Sequence, residues 1–135
     1  MSKLLCLCGH IIVDQTDFLP FKATFLADQD QGDFFRASAR KTVQDIQQKM
    51  KSLAGYNGEL ETFWESSSQK ELEEVIRDTF AAHYFTLARD MYECEVCGRI
   101  WLQSKEQPQI FLPYQPERQE RGILRSMRDI DESEL

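Results

Sequence analysis

The hydrophobic pattern changes period three times along the chain, and each change predicts a different element. Residues 3–13, "KLLCLCGHIIV", read as two short strands flanking a tight turn at Cys8-Gly9. Pro20 opposes helix in the next stretch, so residues 14–27 read as an extended, partly buried connection. From about Asp30 the period becomes helical: Phe35, Ala39, Val43, Ile46, Met50 and Leu53 recur at steps of three and four. Aspartates gather at the start of that helix, Lys49 and Lys51 fall in its last turn, and Gly55 follows as a stop, all suiting the helix dipole and C-cap.

A second helix is announced by a capping box, Ser68 with Glu71 three residues on, followed by a stripe of Leu72, Val75, Ile76, Thr79, Phe80 and His83. Between the helices, Phe63-Trp64 is expected to anchor the connection 55–67 to the core. Residues 84–93 fit either period, with strand favoured by "MYEC"; "RIWLQ" (99–103) and "QIFLPY" (109–114) are further strands. From Gln115 the chain turns polar. There Arg118, Arg121, Arg125 and Arg128 fall at helical spacing, with Ile123, Leu124, Met127 and Ile130 on another side. Gly122 weakens that helix. No repeat or low-complexity tract appears.

At 135 residues, with 41% hydrophobic positions, nine Phe and two Trp, the chain can bury a real core. The reading is one α+β domain over residues 1–114: a small antiparallel sheet built from both chain ends, with a helical insertion at about 28–83 packed on it. Residues 115–135 form a polar, arginine-containing tail or helix. The apolar run after Lys3 is broken by Gly9-His10 and has no small-residue cleavage site, and no stretch approaches the ~20 apolar residues of a membrane span. A soluble, cytoplasmic protein is expected. The net charge of −7 disfavours non-specific binding to phosphate backbones.

The four cysteines are the most informative residues. They come as two pairs, in "CLCGH" (6–10) and "CEVCGR" (94–99), each followed at once by glycine. In a reducing compartment such pairs are metal ligands sooner than disulfides. Two thiolates on one tight turn grip one side of a metal, and the glycine accepts the backbone angles that aim amides at sulfur. The pattern resembles the zinc-ribbon group, in which two Cys-x-x-Cys-Gly knuckles on neighbouring β-hairpins share one zinc. The resemblance covers about residues 3–13 and 90–114. It implies that Cys6, Cys8, Cys94 and Cys97 hold one structural zinc ion, with the helical segment inserted between the two halves of the site. The first knuckle departs from the pattern in having one residue between its cysteines. His10 is the obvious substitute ligand there, though a surface residue just past the turn is preferred. Disulfides in an exported protein rank second. A redox-active Cys94–Cys97 pair ranks lower, because Glu93 and Glu95 disfavour a thiolate. The spacing does not separate zinc from iron.

Other motifs are discounted. "DQDQGD" (28–33) misplaces the glycine of a calcium loop and has Ala39 where a bidentate Glu belongs. His83 reads as a core histidine, Ser66-Ser67-Ser68 as loop and cap, and Glu71, Glu73 and Glu74 as a solvated face. There is no phosphate-binding glycine loop. A four-thiolate zinc has no open position for a reacting water, so no enzyme is expected. The leading functional expectation is a non-enzymatic protein-binding module, of the kind of a bacterial immunity protein that covers a basic toxin. Its interface would use Asp14, Asp17, Asp28, Asp30 and Asp33 among Phe18, Phe21, Phe25 and Phe34. The alternative is a nucleic-acid or transcription-associated ribbon using the arginine tail. The ordinary reading of those arginines is the exposed face of a terminal helix.

Overall fold

The computed structural model describes residues 2–52 and 69–127. Among the described residues, six strands and two helices follow in the order β1 (Ser2–Leu5), β2 (Ile11–Asp14), β3 (Lys22–Phe25), α1 (Asp28–Ser52), α2 (Gln69–Leu87), β4 (Arg89–Glu93), β5 (Ile100–Gln103) and β6 (Phe111–Tyr114). Two antiparallel sheets and two helices make this an α+β fold. The chain divides into two compact units, Met1–Phe25 with Arg89–Leu135, and Leu26–Ala88.

In the first unit β1 and β2 form a hairpin closed by the Cys6–His10 turn, with Leu5 opposite Ile11. The four-stranded sheet has the order β3-β4-β5-β6, antiparallel throughout. Pro113 cannot donate to a ladder, and it sits where that costs least, on the edge strand β6 opposite Trp101. The chain leaves this sheet at Phe25 and re-enters at Arg89, and these two residues are direct partners in the β3–β4 ladder. The Arg89 guanidinium lies 4.6 Å from the centre of the Phe25 ring, so a cation–π contact joins the two ends of the inserted segment. The core of this unit is Cys6, Ile12, Tyr92, Cys94 and Trp101, with Leu4, Phe21, Cys97 and Phe111 packed around it.

The second unit is an antiparallel helical hairpin. Phe34 near the start of α1 packs edge-on against Phe80 and Tyr84 of α2. Further along, Thr79 donates to Asp45 at 2.8 Å, and Lys49 lies 3.7 Å from Glu71. The α1 stripe follows the sequence expectation at Met50 and half-buried Ile46 but differs from it in the first half of the helix. Phe34, Ser38 and Met50 are buried, whereas Phe35 and Val43 are more than half exposed. The buried face of α1 carries small and polar groups, with Ser38 fully enclosed and Asp45 satisfied by Thr79, so apolar periodicity alone selects a neighbouring face. Helix α2 runs on to Leu87 before strand resumes at Arg89, which resolves the ambiguous stretch 84–93. Leu53, Gly55, Phe63-Trp64, Ser66-Ser67-Ser68, Arg128 and Ile130 lie outside the described residues.

The segment 115–127 contains no helix. Gly122 is in the left-handed region (φ 75°), and Arg125 N–H closes a turn onto the Gly122 carbonyl at 3.1 Å. Among the described residues no helix is long and apolar enough to cross a membrane.

Candidate metal centre

Two turns of similar construction carry the cysteines. In the first, Cys6 N–H donates to the His10 carbonyl at 2.8 Å and Gly9 N–H donates to the Cys6 carbonyl at 2.9 Å. In the second, Cys94 N–H donates to the Arg99 carbonyl at 2.9 Å and Gly98 N–H donates to the Cys94 carbonyl at 2.7 Å. Gly9 (φ 92°) and Gly98 (φ 73°) both take the left-handed conformation, which a side chain would strain. The one-residue-shorter first knuckle therefore closes on the same pattern as the second.

The turns meet. Cys6 Sγ is 3.6 Å from Cys97 Sγ, Cys8 Sγ is 3.6 Å from Cys94 Sγ, and all four sulfurs lie within 4.8 Å of one another. A tetrahedral ion with metal–sulfur bonds of ~2.3 Å requires sulfur–sulfur separations of ~3.8 Å. The four thiols are free of disulfides, and each diagonal contact joins one knuckle to the other. The donor set and its spacing thus fit a single tetrahedral metal ion. Among the described residues this is the one group of His, Cys, Asp and Glu side chains so placed. His10 is not part of it, its Nε2 lying 4.0 Å from a Glu95 carboxylate oxygen.

The electrostatics of the cluster split the thiols. Burial pushes the Cys94 thiol up to about 12; amides of Cys97 and Val96 oppose this, while the Cys8 and Cys6 sulfurs add to it. Cys6 moves the other way, to about 6: burial raises it but is outweighed by the Cys8 amide, the Trp101 indole, and the Cys97 and Cys94 thiols. Trp101 Nε1–H is buried and, among the described residues, has no hydrogen-bond partner at ordinary distance, so its pull on the Cys6 sulfur is that of a nearby dipole. Four thiolates cannot share so small a volume without a cation, and a divalent ion removes that restriction.

Three surrounding groups have roles that the sequence reading missed. The Arg99 guanidinium lies 3.7 Å from Cys97 Sγ and 3.9 Å from Cys6 Sγ. Its place directly after the Cys-Gly turn was a visible signal. Glu93 is buried, and its carboxylate accepts from the Gly122 amide at 2.6 Å and the Leu124 amide at 3.4 Å. Nothing in the local sequence marks that long-range partnership. Asp14 accepts from Tyr92 OH and from Lys22 Nζ, both at 2.6 Å, tying β2 to β3 and β4.

The acidic residues expected at an interface have separate settings. Asp14 is engaged in that cluster, and Asp17 lies in the loop beside Phe18. Asp28 and Asp30 form the first turn of α1, and Asp33 pairs with Arg36 at 3.3 Å. Of the four phenylalanines, Phe21 packs at the core, Phe25 stacks with Arg89 and Phe34 is buried. Phe18 alone is largely exposed, and it holds a left-handed backbone (φ 61°). His83 Nδ1 bonds the Thr79 carbonyl at 3.0 Å within its own helix. A cavity of about 540 Å³ between α1 and α2 is lined by Lys41, Asp45, Lys49, Thr79 and His83, but its lysines are paired with Asp45 and Glu71.

No curated protein and no solved structure matches the chain. A family does: the chain belongs to the domain of unknown function DUF8617, which matches residues 2–118 and so spans both cysteine knuckles.

Proposed function

We propose that the four cysteines hold one structural zinc ion, in the manner of a zinc ribbon, and that the ion fastens the N-terminal hairpin to the four-stranded sheet of a non-enzymatic binding domain. The observation that carries this is the convergence of Cys6 and Cys8 with Cys94 and Cys97 at tetrahedral spacing. All four positions are filled by protein, which leaves none for a reacting water. A centre of this kind needs reduced thiols and belongs in a reducing compartment such as the cytoplasm.

The binding role rests on the surface. The net charge of −7 favours a basic protein partner by steering its approach, as an immunity-type protein would. Phe18, exposed and held at an uncommon backbone angle beside Asp17, is the aromatic contact such a surface needs. Arg121 and Arg125 line a small cavity together with Glu93 and Glu95, whose carboxylates oppose phosphate, so the nucleic-acid reading is the weaker one.

Elemental analysis of protein purified under reducing conditions should find about one zinc per chain, lost on replacing any one of the four cysteines. A metal-free protein that is folded and fully reduced would overturn the centre. A basic protein encoded beside this chain should bind it with an association rate that falls as salt rises. Its absence from the gene neighbourhood, with salt-insensitive binding to any candidate, would remove the partner reading.

A further inference from the structure

Arg99 occupies a position that the metal centre alone does not account for. Its Nη1 approaches Cys97 and Cys6, which come from different knuckles and are themselves 3.6 Å apart. Its Nη2 donates to Gln115 Oε1 at 2.6 Å, and this bond fixes the plane of the guanidinium. Among the described residues no carboxylate pairs with Arg99, while Glu93 is turned to the tail amides and Glu95 to His10. The charge of Arg99 therefore falls on the sulfurs.

Four thiolates around a divalent ion carry a net charge of −2; with Cys6 and Cys94 buried and Cys97 half-buried, that charge is costly on the inner side of the cluster unless cations or N–H donors face it. The backbone amides of each knuckle supply donors but no net charge. Arginine is permanently protonated and presents several N–H groups in one plane, so it can face two sulfurs and an amide oxygen at once. We propose that Arg99 is a positioning residue of the metal centre: held by Gln115, its guanidinium offsets part of the dianionic charge on the Cys6–Cys97 side and sets how tightly the ion is retained. This rests on the reading of the cluster as a metal site.

The test compares the full chain with Arg99→Gln, Arg99→Lys and Gln115→Ala. Zinc Kd is read by competition with a chromophoric chelator at two salt concentrations, and the absorption of the cobalt-substituted protein reports the four-sulfur geometry. Loss of outer interactions to metal ligands commonly weakens binding by about 10–100-fold, so Arg99→Gln should raise Kd by roughly tenfold or more. Arg99→Lys should recover part of the loss. The loss should shrink at high salt, as screening predicts, while the cobalt spectrum stays that of a tetrahedral sulfur site. A merely structural role would alter the spectrum and would not be recovered by Lys. A Kd for Arg99→Gln within twofold of the parent, or equal losses for Gln and Lys, overturns the proposal. Should Arg99→Gln fail to fold, Gln115→Ala carries the test, because it frees the guanidinium without removing it; an unchanged Kd there counts equally against the proposal. If the parent chain binds neither zinc nor cobalt, the metal reading itself fails. If it binds one ion with an affinity indifferent to these changes, the inference about Arg99 alone fails.

Discussion

Withdrawing the proposed zinc ion from the four-sulfur cluster should free the N-terminal hairpin while the rest of the chain stays folded. The hairpin β1–β2 is two-stranded, and such a ribbon is marginal in water by itself. Two of the four sulfurs sit in its turn, and its other attachments include buried Ile12, Leu4 packed beside it, His10 near Glu95, and Asp14, bonded to Tyr92 and Lys22. Asp14 lies opposite Ser2, at the end of the ladder away from the turn, so opening should start at Cys6–His10 and spread toward Asp14. At a free zinc concentration 1,000-fold above Kd, binding stabilises the folded state by about 4 kcal/mol. That is a large part of the ~5–15 kcal/mol that holds a domain together. Amides protected only by an opening that releases the ion should therefore exchange roughly a thousandfold faster once it is chelated. The Cys6, Gly9, Cys94 and Gly98 amides, each bonded across a knuckle, are the reporters. Hydrogen exchange followed by mass spectrometry, with zinc buffered and then chelated under reducing conditions, makes the measurement. Helices α1 and α2 carry none of the ligands and should change little. Protection at residues 6–10 within threefold of the loaded protein, with metal verified absent, would refute the reasoning.

Other outcomes follow from single residues. In chelator, Cys94→Ser should unfold at lower urea than Cys8→Ser, because Cys94 is fully buried and a hydroxyl enclosed there without a partner costs about 1–3 kcal/mol, whereas Cys8 is exposed. Gly98→Ala should cost more than Gly9→Ala in urea denaturation. Both glycines are left-handed, a strain of about 1 kcal/mol for alanine, but a Cβ at Gly98 also meets the Glu120 carbonyl oxygen at 3.1 Å and one at Gly9 meets open space. Glu93→Ala should lose about 2–3 kcal/mol, the worth of a charged hydrogen bond, and expose residues 115–127 to proteolysis. Raising pH above about 10 should weaken the metal-loaded protein through Tyr92 and Lys22. Burial, then the bond to Asp14, raises Tyr92 above 10.0; for Lys22 burial lowers it, but the bond to Asp14 together with the charges of Asp90, Tyr92 and Asp14 outweighs burial and raises it above 10.5. Each contribution is complete below the unfolded value and disappears as pH rises through the folded one. Tyr92→Phe should flatten that alkaline fall in urea midpoint, and an unchanged fall would contradict the assignment. Asp14, lowered by its bonds to Lys22 and Tyr92 despite burial, contributes above its unfolded value of 3.8 and is lost in acid. Protons also displace the metal from its thiolates there, so the alkaline limb is the cleaner measurement.

The four-cysteine cluster was legible because its chemistry is local. Each cysteine pair with its glycine specifies a turn, and strands on either side follow from short apolar runs. The same reasoning held at the end of α1, where Met50 is buried and Ile46 half-buried, and failed in its first half, where the inward face is built from Phe34, Ser38 and other residues that the apolar period passes over. In the tail the sequence left helix and irregular chain both open. Arginines at helical spacing suited a helix and Gly122 weakened it; the Gly122 and Leu124 amides, which a helix would bond to carbonyls one turn back, are taken by the Glu93 carboxylate. A carboxylate 29 residues upstream of Gly122 decides the conformation, and no window around the arginines contains it. Asp14 illustrates the same limit: as one of five acidic positions it reads as surface charge, yet Lys22 and Tyr92 make it a tie between two sheets.

These long-range partners place the second knuckle at the junction of both chain ends. The N-terminal hairpin reaches it through sulfur, with Cys6 against Cys97 and Cys8 against Cys94. The C-terminal segment reaches it through the residue before the first of these cysteines, Glu93, and through the glycine after the second, where the Glu120 carbonyl oxygen comes within 3.1 Å of the place a Cβ would take. Arg99, the next residue, faces the sulfurs on one side and Gln115 on the other. Seven consecutive residues, 93–99, thus hold partners from two distant parts of the chain. A change in this turn should release both ends together, whereas Cys8→Ser should release only the first. The tail's grip on Glu93 uses backbone amides and does not pass through the ion, so residues 115–127 should keep their resistance to protease in chelator while residues 2–10 lose theirs. Simultaneous release of both ends by chelation alone would mean that the metal organises the tail as well, and that the Glu93 bonds are a consequence of the centre and not an independent clasp.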